Sequence, residues 1–339
     1  MVLGQTPNRF PSYQECVRVG PMTILGHIPM GLLRRALLAG SQSRWLRERA
    51  MRRAFVRRAV SRFMPGEEAS DALAATEALR RAGMGAVLTR LGENVIDDAE
   101  ADAVVAHYLE LLERVKDEGG AVEISVKPTQ LGLDLDEERC AARLLALVAR
   151  AEATGNFVWI DMEQTAYTDA TLRLVRRACE RHRRVGVCLQ SYLRRTAADL
   201  EALRPTGAGI RLVKGAYNEP LDRAFPRKAD VDASYLALAK SLLQASAAGS
   251  AFRNVFGTHD RALIDAILAE ATARGLPKAA AEFHLLYGIQ RAEQERLARE
   301  GWPVRVLISY GPYWFPWYMR RLAERPANVL FVARSLFAR

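Results

Sequence analysis

The chain has 339 residues, of which 50% are hydrophobic and 26% are charged, and its formal net charge is +10 at pH 7. This composition is typical of a globular protein with a large core. The sequence has no run of about 18 apolar residues and no basic-then-apolar start, so we expect neither a membrane span nor export.

Arginine carries the positive charge, since lysine occurs only six times among 49 basic residues. These residues are spread over many helix faces without a zinc-finger or RNA-recognition pattern, so we expect no nucleic-acid binding. The densest stretch, 44–63, is interpreted as a solvated helix face, with weak docking to an anionic membrane surface as the alternative. The four cysteines (Cys16, Cys140, Cys179, Cys188) lack metal-ligand spacing, which predicts free thiols, no metal site and a cytoplasmic location.

In chain order, residues 1–85 show only helical periodicity, over 31–63 and 71–81, and we interpret them as a helical cap. Short apolar runs of strand length follow, separated by amphipathic stretches such as 98–115, 136–153 and 169–182. There are eight of these runs, at 86–92, 121–128, 157–164, 185–192, 209–216, 254–260, 282–288 and 304–311.

Apolar strands that alternate with helices indicate a parallel sheet covered by helices. Eight such units without a reversal favour a closed barrel over an open sheet. We therefore predict an α/β fold, a distorted (β/α)₈ barrel over 86–339, with the helix after residue 315 closing over the site.

The ends of the predicted strands carry an unusual set of polar residues. They are Lys127, Asp161, Glu163, Gln164, Gln190, Tyr192, Lys214, Tyr217, Thr258, His259, Asp260 and His284. In such barrels the chemistry lies where the strands end. A ring of charges at one mouth costs desolvation energy, so the pattern indicates a binding site.

Two further features suggest the kind of ligand. Arg320 and Glu324 stand four residues apart beside Arg321, which is consistent either with a surface ion pair or with a fork for a carboxylate. Lys127 and Lys214 lie in strands of a chain that otherwise prefers arginine, which suits a point charge or a Schiff-base nucleophile. Neither a dinucleotide-binding GxGxxG nor a P-loop occurs, so a phosphate-bearing cofactor would be held by barrel loops.

The strings SVKPTQLGL, DMEQ, LQSY, RLVKGAY, THD, LLYG and YMRRLAERPAN occur in this order along the chain. In order and position they resemble the proline dehydrogenase family, and the similarity extends from RFMPGEEASDAL near residue 62 to the end of the chain. The sequence is most similar to the stand-alone bacterial type, and to the corresponding domain of the bifunctional proline-utilisation enzymes.

The resemblance implies roles for individual residues. Arg320 and Arg321 match the pair that holds the substrate carboxylate, Lys127 and Glu324 close over the substrate, and Leu286 contacts its ring. Asp161 lies between flavin and substrate, and Tyr217 forms a pocket wall. The implied contacts of non-covalent FAD are Asp161, Met162, Gln190, Arg211, Val213, Lys214, Gly215, Ala216, Tyr217, Pro226, Lys228, Thr258, His259, Asp260 and His284.

The implied reaction is oxidation of L-proline to Δ1-pyrroline-5-carboxylate, the first step of proline catabolism, with hydride transfer to flavin N5 and electrons passed to quinone. Quinone in turn suggests a location at the inner face of the plasma membrane. The alternatives are the same chemistry on hydroxyproline or another cyclic imino acid, a lysine Schiff-base lyase, and a non-enzymatic binding barrel.

Three positions depart from the family pattern. Pro128 follows Lys127 where leucine is usual and removes a backbone donor. His284 replaces a common glutamine, and Leu307 stands where the family has a substrate-facing tyrosine. The loss of that phenol predicts a roomier pocket, unless Ser309 or Tyr310 refills the space.

Overall fold

The computed structural model describes residues 60–249 and 253–315. Eight parallel strands form a closed barrel in which each strand pairs with the next and β8 pairs with β1. The strands are β1 (Gly85–Arg90), β2 (Val122–Val126), β3 (Val158–Ile160), β4 (Val185–Gln190), β5 (Gly209–Val213), β6 (Asn254–Gly257), β7 (Glu282–Leu286) and β8 (Val304–Tyr310). The predicted (β/α)₈ barrel is confirmed.

Within the described ranges, one α-helix precedes β1 and one α-helix lies between each pair of successive strands. They are α1 (Ala69–Arg81), α2 (Asp98–Arg114), α3 (Glu137–Ala153), α4 (Thr168–Cys179), α5 (Thr196–Leu203), α6 (Lys228–Ala247), α7 (Arg261–Ala273) and α8 (Arg291–Arg299). Asp97 and Asp136 cap α2 and α3 by accepting a backbone N–H three residues ahead. The predicted helices at 71–81, 98–115, 136–153 and 169–182 agree with α1 to α4 within about three residues.

Side chains along each strand point alternately to the outside and to the inside of the barrel, and they form two separate apolar layers. One set of side chains, including Leu88, Ile124 and Val187, packs in the main core together with residues of the surrounding helices. The other set forms a small apolar cluster of its own, made of Val87, Phe157, Trp159 and Val255, against which Leu307 packs. Because successive residues of a strand point to opposite faces, this second cluster lies inside the barrel.

Ion pairs join neighbouring helices on the outside of the barrel. Arg143 of α3 pairs with Asp98 and Asp102 of α2 at 2.8 Å, and Arg173 of α4 pairs with Glu137 of α3 at 2.7 Å. Arg177 of α4 and Glu138 of α3 add a pair at 2.6 Å. Together these contacts form a ladder of arginines and carboxylates across α2, α3 and α4.

A compact charge network occupies the N-terminal mouth of the barrel. Arg253 donates to Glu123 Oε1 and Glu282 Oε1, both at 2.7 Å, and Arg305 Nε lies 2.9 Å from Glu282 Oε1. Trp159 Nε1 donates to the second oxygen of Glu123 at 2.7 Å. Burial alone would raise the pKa of Glu282, but hydrogen bonds from His284 and Arg253 hold it well below its usual range.

Several predictions fall at the edges of the described residues. The division into a 1–85 cap and an 86–339 barrel stays a prediction, because 1–59 and 316–339 lie outside the description, as do Cys16 and most of the basic stretch 44–63. The other three cysteines are free and buried, as predicted. No helix in the described part of the chain is long and apolar enough to span a membrane.

Candidate active site

Four side chains meet inside the C-terminal mouth, where β2, β3 and β5 end. Asp161 accepts hydrogen bonds from Arg211 and, at 2.9 Å, from Ser125 Oγ; Arg211 also donates to that hydroxyl at 2.8 Å. Lys127 Nζ lies 3.7 Å from the other Asp161 oxygen. The Arg211 side chain is 3% exposed and that of Asp161 is 20% exposed. The cluster is therefore buried on the side of Arg211 and exposed to a ligand on the side of Asp161.

Arg211 is held in one orientation. Its guanidinium lies over the Trp159 ring, 5.1 Å from the centroid, while Nη2 is engaged by Ser125 and Asp161. Nη1 is buried without a hydrogen-bond partner among residues 60–249 and 253–315, and so is Gln190 Oε1. Buried polar atoms in proteins are usually paired, so these two atoms at the open mouth are available to a polar ligand.

A second cationic cluster lies beyond the ends of β5 and β6. Lys214 Nζ bonds Asp232 at 2.5 Å and Asp260 at 2.8 Å, and Lys228 pairs with the same two carboxylates. The hydrogen bond from Lys214 lowers the pKa of Asp260 to about 2. Each ammonium has three N–H donors, so each keeps one donor beyond its two partners in the described part of the chain.

The backbone after β5 passes too close to the Tyr192 ring for residue 215 to carry a side chain. Gly215 has φ +115°, and a Cβ there would lie 2.3 Å from the ring of Tyr192. Only glycine adopts this conformation without strain and leaves room for the ring. Within the RLVKGAY string, this explains the glycine that follows Lys214.

The residues after β6 are fixed by the neighbouring strand. His259 Nε2 accepts a hydrogen bond from the backbone N–H of Leu286 at 3.1 Å, so Nε2 carries no proton in this arrangement. Thr258 is buried, and its hydroxyl accepts the N–H of Asp260 at 3.1 Å. His259, a predicted FAD contact, is thereby fixed to β7, the strand that carries Leu286.

His284 lies deeper in the barrel than the other predicted site residues. Its Nε2 donates to Glu282 at 3.1 Å, and its ring meets the Trp159 ring edge-on at 5.3 Å. Burial lowers the pKa of His284 to about 4, so the ring is neutral near pH 7. His284 is therefore tied to the network at the N-terminal mouth, and its proposed flavin contact stays a prediction.

Leu307 faces the barrel interior, next to Val87 and Trp159. Tyr310 does not refill the space beside it, because its side chain packs in the outer core and its hydroxyl lies 2.7 Å from His107 of α2. Ser309, which lies on the inner face with Leu307, is buried and much smaller than a tyrosine. A position that holds a phenol in the family thus holds an aliphatic side chain here.

Pro128 lacks a backbone donor, as expected, and it lies at a turn position where the missing N–H costs no bond within the turn. It occupies the first position of a short 3₁₀ turn, Pro128–Leu131, where an N–H has no partner within the turn. Its carbonyl still accepts the N–H of Leu133 at 3.1 Å.

The remaining predicted residues divide into two groups. Met162 is buried and its carbonyl accepts a hydrogen bond from Gln190; Val213 and Tyr217 are half-buried, and Ala216 and Pro226 are exposed on the loop after β5. Arg320, Arg321 and Glu324 lie outside the described residues. The residues of the first group lie at or beyond the ends of β3 and β5, at the same mouth as Lys127 and Asp161. Glu163 turns towards Thr129, and Gln164 is exposed.

The family model of proline dehydrogenase matches residues 72–334. The chain belongs to the proline dehydrogenase family. It is 33% identical to proline dehydrogenase 1 of Bacillus subtilis subsp. natto over 306 residues, 90% of this chain and 99% of the relative. It is 36% identical to proline dehydrogenase of Deinococcus radiodurans over 282 residues, 82% of this chain and 89% of the relative.

Solved structures of the family agree with the fold. Proline utilization A from Bdellovibrio bacteriovorus, inactivated by N-propargylglycine, superposes with a TM-score of 0.73 at 24% sequence identity. The match covers 79% of this chain and 32% of that one, so this chain spans about a third of the solved protein. At this identity the likeness supports the barrel fold and nothing finer.

Sequence reasoning missed several residues of the site. Ser125 and Trp159 lie two positions before Lys127 and Asp161 on the same strand faces, a period-2 signal that could have identified them. Asp232 follows Lys228 by four residues on α6, which places the two side chains on one helix face. All three act on residues that the strand-end pattern did identify.

Proposed function

We propose that the chain is an FAD-dependent proline dehydrogenase that oxidises L-proline to Δ1-pyrroline-5-carboxylate. The observation that carries this proposal is the Lys127–Asp161–Arg211 cluster at the C-terminal mouth of a barrel of this family. It supplies buried, fixed charges beside an open face, which is the arrangement needed to orient a small zwitterion.

The residues present fit FAD. Arg211 Nη1 and Gln190 Oε1 offer a buried donor and acceptor to a polar ring edge, and Lys214 and Lys228 each keep one N–H for a phosphate oxygen. Lys228 opens α6, whose N-terminus adds a favourable partial positive charge. When bound, the flavin supplies the hydride acceptor that no amino-acid side chain provides.

On the substrate side, we assign the carboxylate to Lys127 together with Arg320 and Arg321, with Glu324 closing over the site. The amine must lose a proton before its ring carbon gives up a hydride, because an ammonium has no lone pair to share. The cations of Lys127, Arg320 and Arg321 would lower the pKa of that amine. Leu286 and Tyr217 would complete the apolar side of the pocket.

We propose that the electron acceptor is a membrane quinone. The chain itself would be cytoplasmic and would dock weakly at the inner face of the plasma membrane. The basis is the basic stretch 44–63, which alternates arginines with Trp45, Leu46 and Phe55. Co-sedimentation with anionic liposomes, abolished by salt, is the expected result. Equal binding to neutral and anionic liposomes would contradict it.

Hydroxyproline is the second candidate substrate, and Leu307 is the observation that favours it. An apolar pocket discriminates only weakly against an added hydroxyl, whereas a crowding phenol rejects it. Lys214 gives little support to a Schiff-base lyase, because its ammonium is held between two carboxylates. Borohydride trapping with proline tests that alternative directly.

The deciding experiment uses the purified full chain. We expect a yellow protein whose visible absorbance bleaches anaerobically on addition of L-proline, and whose flavin enters the supernatant after acid precipitation. A colourless protein that binds no added FAD contradicts the proposed enzyme. Flavin that stays with the precipitate contradicts only the non-covalent attachment.

A further inference from the structure

The carboxylate of Glu163 lies under the loop that follows Lys127. Its side chain is almost fully buried, and its two oxygens are used separately: Oε2 accepts the backbone N–H of Thr129 at 3.0 Å, and Oε1 accepts the Thr129 hydroxyl at 2.7 Å. A buried carboxylate that accepts two hydrogen bonds from one residue fixes that residue in both position and orientation.

Thr129 in turn joins the loop after β1 to the loop after β2. Its hydroxyl oxygen accepts the N–H of Asn94 at 3.2 Å, and its carbonyl accepts the N–H of Val95 at 3.4 Å. Next to it, Gln130 Nε2 donates to the carbonyl of Arg90 at 2.8 Å. Since Glu163 belongs to the loop after β3, one residue holds three consecutive loops of the mouth together.

The path from Thr129 to Lys127 is short and stiff. Only Pro128 separates them, and its ring fixes φ, so a displacement of Thr129 moves the end of β2 with little slack. Lys127 is itself only 12% exposed. We propose that Glu163 is a positioning residue that sets the location of Lys127, and thereby the affinity of the site for the substrate carboxylate. This inference rests on the proposed function.

The two Glu163–Thr129 hydrogen bonds form a clamp, and the pH dependence of this clamp should appear in the pH dependence of ligand binding. Burial raises the pKa of Glu163 to about 7, opposed by the bonds from Thr129 and by Lys127. The titratable groups facing it are Lys127, Glu93, Tyr167 and Cys140. A protonated carboxyl loses one of its two acceptor functions towards Thr129, so the clamp is complete above this pKa and weakened below it.

Positioning and simple charge make opposite predictions. If Glu163 acted only through its charge, ionisation would add a negative charge near Lys127, and an anionic ligand would bind more weakly as pH rises. If Glu163 acts through Thr129, binding strengthens as pH rises. The sign of the pH effect therefore separates the two roles.

The experiment measures binding of cyclopentanecarboxylate to the flavin-loaded full chain by flavin absorbance. This probe lacks an amine, so its own titration does not interfere near pH 7. In Glu163→Gln, whose amide can accept only one of the two bonds, we expect a Kd about 5- to 10-fold higher at about pH 8.5. The apparent KM for proline should rise similarly, with kcat nearly unchanged.

Glu93→Gln is the matched control, since it removes a charge that also faces Glu163 without touching the Thr129 bonds. We expect its Kd to stay near that of the native protein. The native Kd should rise as pH falls through about 7, whereas that of Glu163→Gln should stay flat. Thr129→Val removes the two hydroxyl bonds, to Glu163 and from the Asn94 N–H, but keeps the backbone N–H bond to Glu163. It should give a smaller rise in Kd, and it tests the inference independently if Glu163→Gln does not fold.

An unchanged Kd in both Glu163→Gln and Thr129→Val would overturn the inference, and so would native binding that strengthens as pH falls through 7. A fall in kcat as large as the rise in KM would also contradict it. Failure of the proposed function looks different, since the native protein would then lack flavin or fail to bleach with proline.

Discussion

The two mouths of the barrel are built from the same kinds of charged residue, but within residues 60–249 and 253–315 their cations and carboxylates are balanced differently. At the N-terminal mouth, Arg253 and Arg305 face Glu123 and Glu282, and every oxygen of the two carboxylates accepts at least one hydrogen bond. At the C-terminal mouth, Lys127, Arg211, Lys214 and Lys228 face Asp161, Asp232 and Asp260. The second set has an excess cation.

The difference distinguishes a structural charge network from a binding site. At the N-terminal mouth, each oxygen of the two carboxylates is already used by a neighbouring arginine or tryptophan, so this network stabilises the barrel. Unpaired buried atoms such as Arg211 Nη1 and Gln190 Oε1 carry a desolvation cost that a polar ligand can relieve. The residue types alone, which are similar at both ends, would not have separated the two mouths.

Glu282→Ala should have the largest effect, and it should be on stability. The change leaves Arg253 and His284 buried with fewer partners, and breaking a buried pair in this way costs about 3–5 kcal/mol. Urea unfolding measures the loss, and activity per bound flavin should be nearly unchanged. Glu138→Ala, which breaks an exposed pair with Arg177, should cost under about 1 kcal/mol. Equal losses in the two variants would contradict a special role for the network.

Arg320→Met and Arg321→Met should weaken proline binding with little effect on folding. Loss of a charge-assisted bond to a desolvated carboxylate costs about 2–4 kcal/mol, which is about 30- to 1,000-fold in apparent KM. Arg325→Met is a matched control on the same segment. Normal cyclopentanecarboxylate binding by both variants would show that this arginine pair lies outside the site.

Asp161→Asn should reduce turnover while the fold remains intact. The amide cannot hold Arg211 and Lys127 as a carboxylate does, and misplacement of such groups costs about 10²-fold in rate. Single-turnover flavin reduction measures the effect, with the exposed Asp134→Asn as control. If Asp161→Asn instead lowered the free energy of unfolding as much as Glu282→Ala does, the C-terminal mouth would be a structural charge network like the N-terminal one.

Asp260→Asn should lower the free energy of unfolding by about 1–2 kcal/mol at neutral pH, after allowing for partial solvent exposure. Because the folded pKa of Asp260 is depressed to about 2, its contribution is present above the unfolded pKa of about 3.9 and is lost as pH falls towards 2. The gap between native and variant urea midpoints should therefore narrow below about pH 4. A gap that is constant from neutral pH to about pH 3 would contradict this assignment.

Leu307→Tyr should have the smallest effect. Restoring a phenol at this interior position should increase the preference for proline over 4-hydroxyproline, by about tenfold or less. The kcat/KM ratio for the two substrates measures it, and Leu307→Phe separates ring bulk from the hydroxyl. No change in the ratio for Leu307→Tyr would mean that the aliphatic side chain does not set selectivity.

Sequence periodicity predicted the barrel because its strands are buried on both faces and its helices on one. Apolar runs and 3.6-residue patterns record those environments directly. The runs overestimated strand length at β3, where Asp161 to Gln164 already belong to the loop. Those four residues begin as an extended segment but turn away so that Glu163 can reach Thr129, a tertiary contact with no local signature.

The sequence named residues that the fold brings to one mouth of the barrel, but it did not give their hydrogen-bond partners. Strand-end polarity identified Lys127, Asp161 and Lys214, yet it could not show that Arg211 and Ser125 share one carboxylate oxygen or that His284 faces the opposite network. These pairings depend on barrel register between strands far apart in sequence. For the same reason, the place of Pro128 at the start of a turn and the outward direction of Tyr310 could not be deduced before the fold was known.

The ladder of arginines and carboxylates across α2, α3 and α4 bears on how the protein responds to heat. The hydration free energy of charged groups becomes less favourable as temperature rises, so the penalty for forming such pairs shrinks. Hydrophobic stabilisation levels off over the same interval. The outer shell should therefore account for a growing share of the total stability as the solution warms, and dissolved salt should erode that share first.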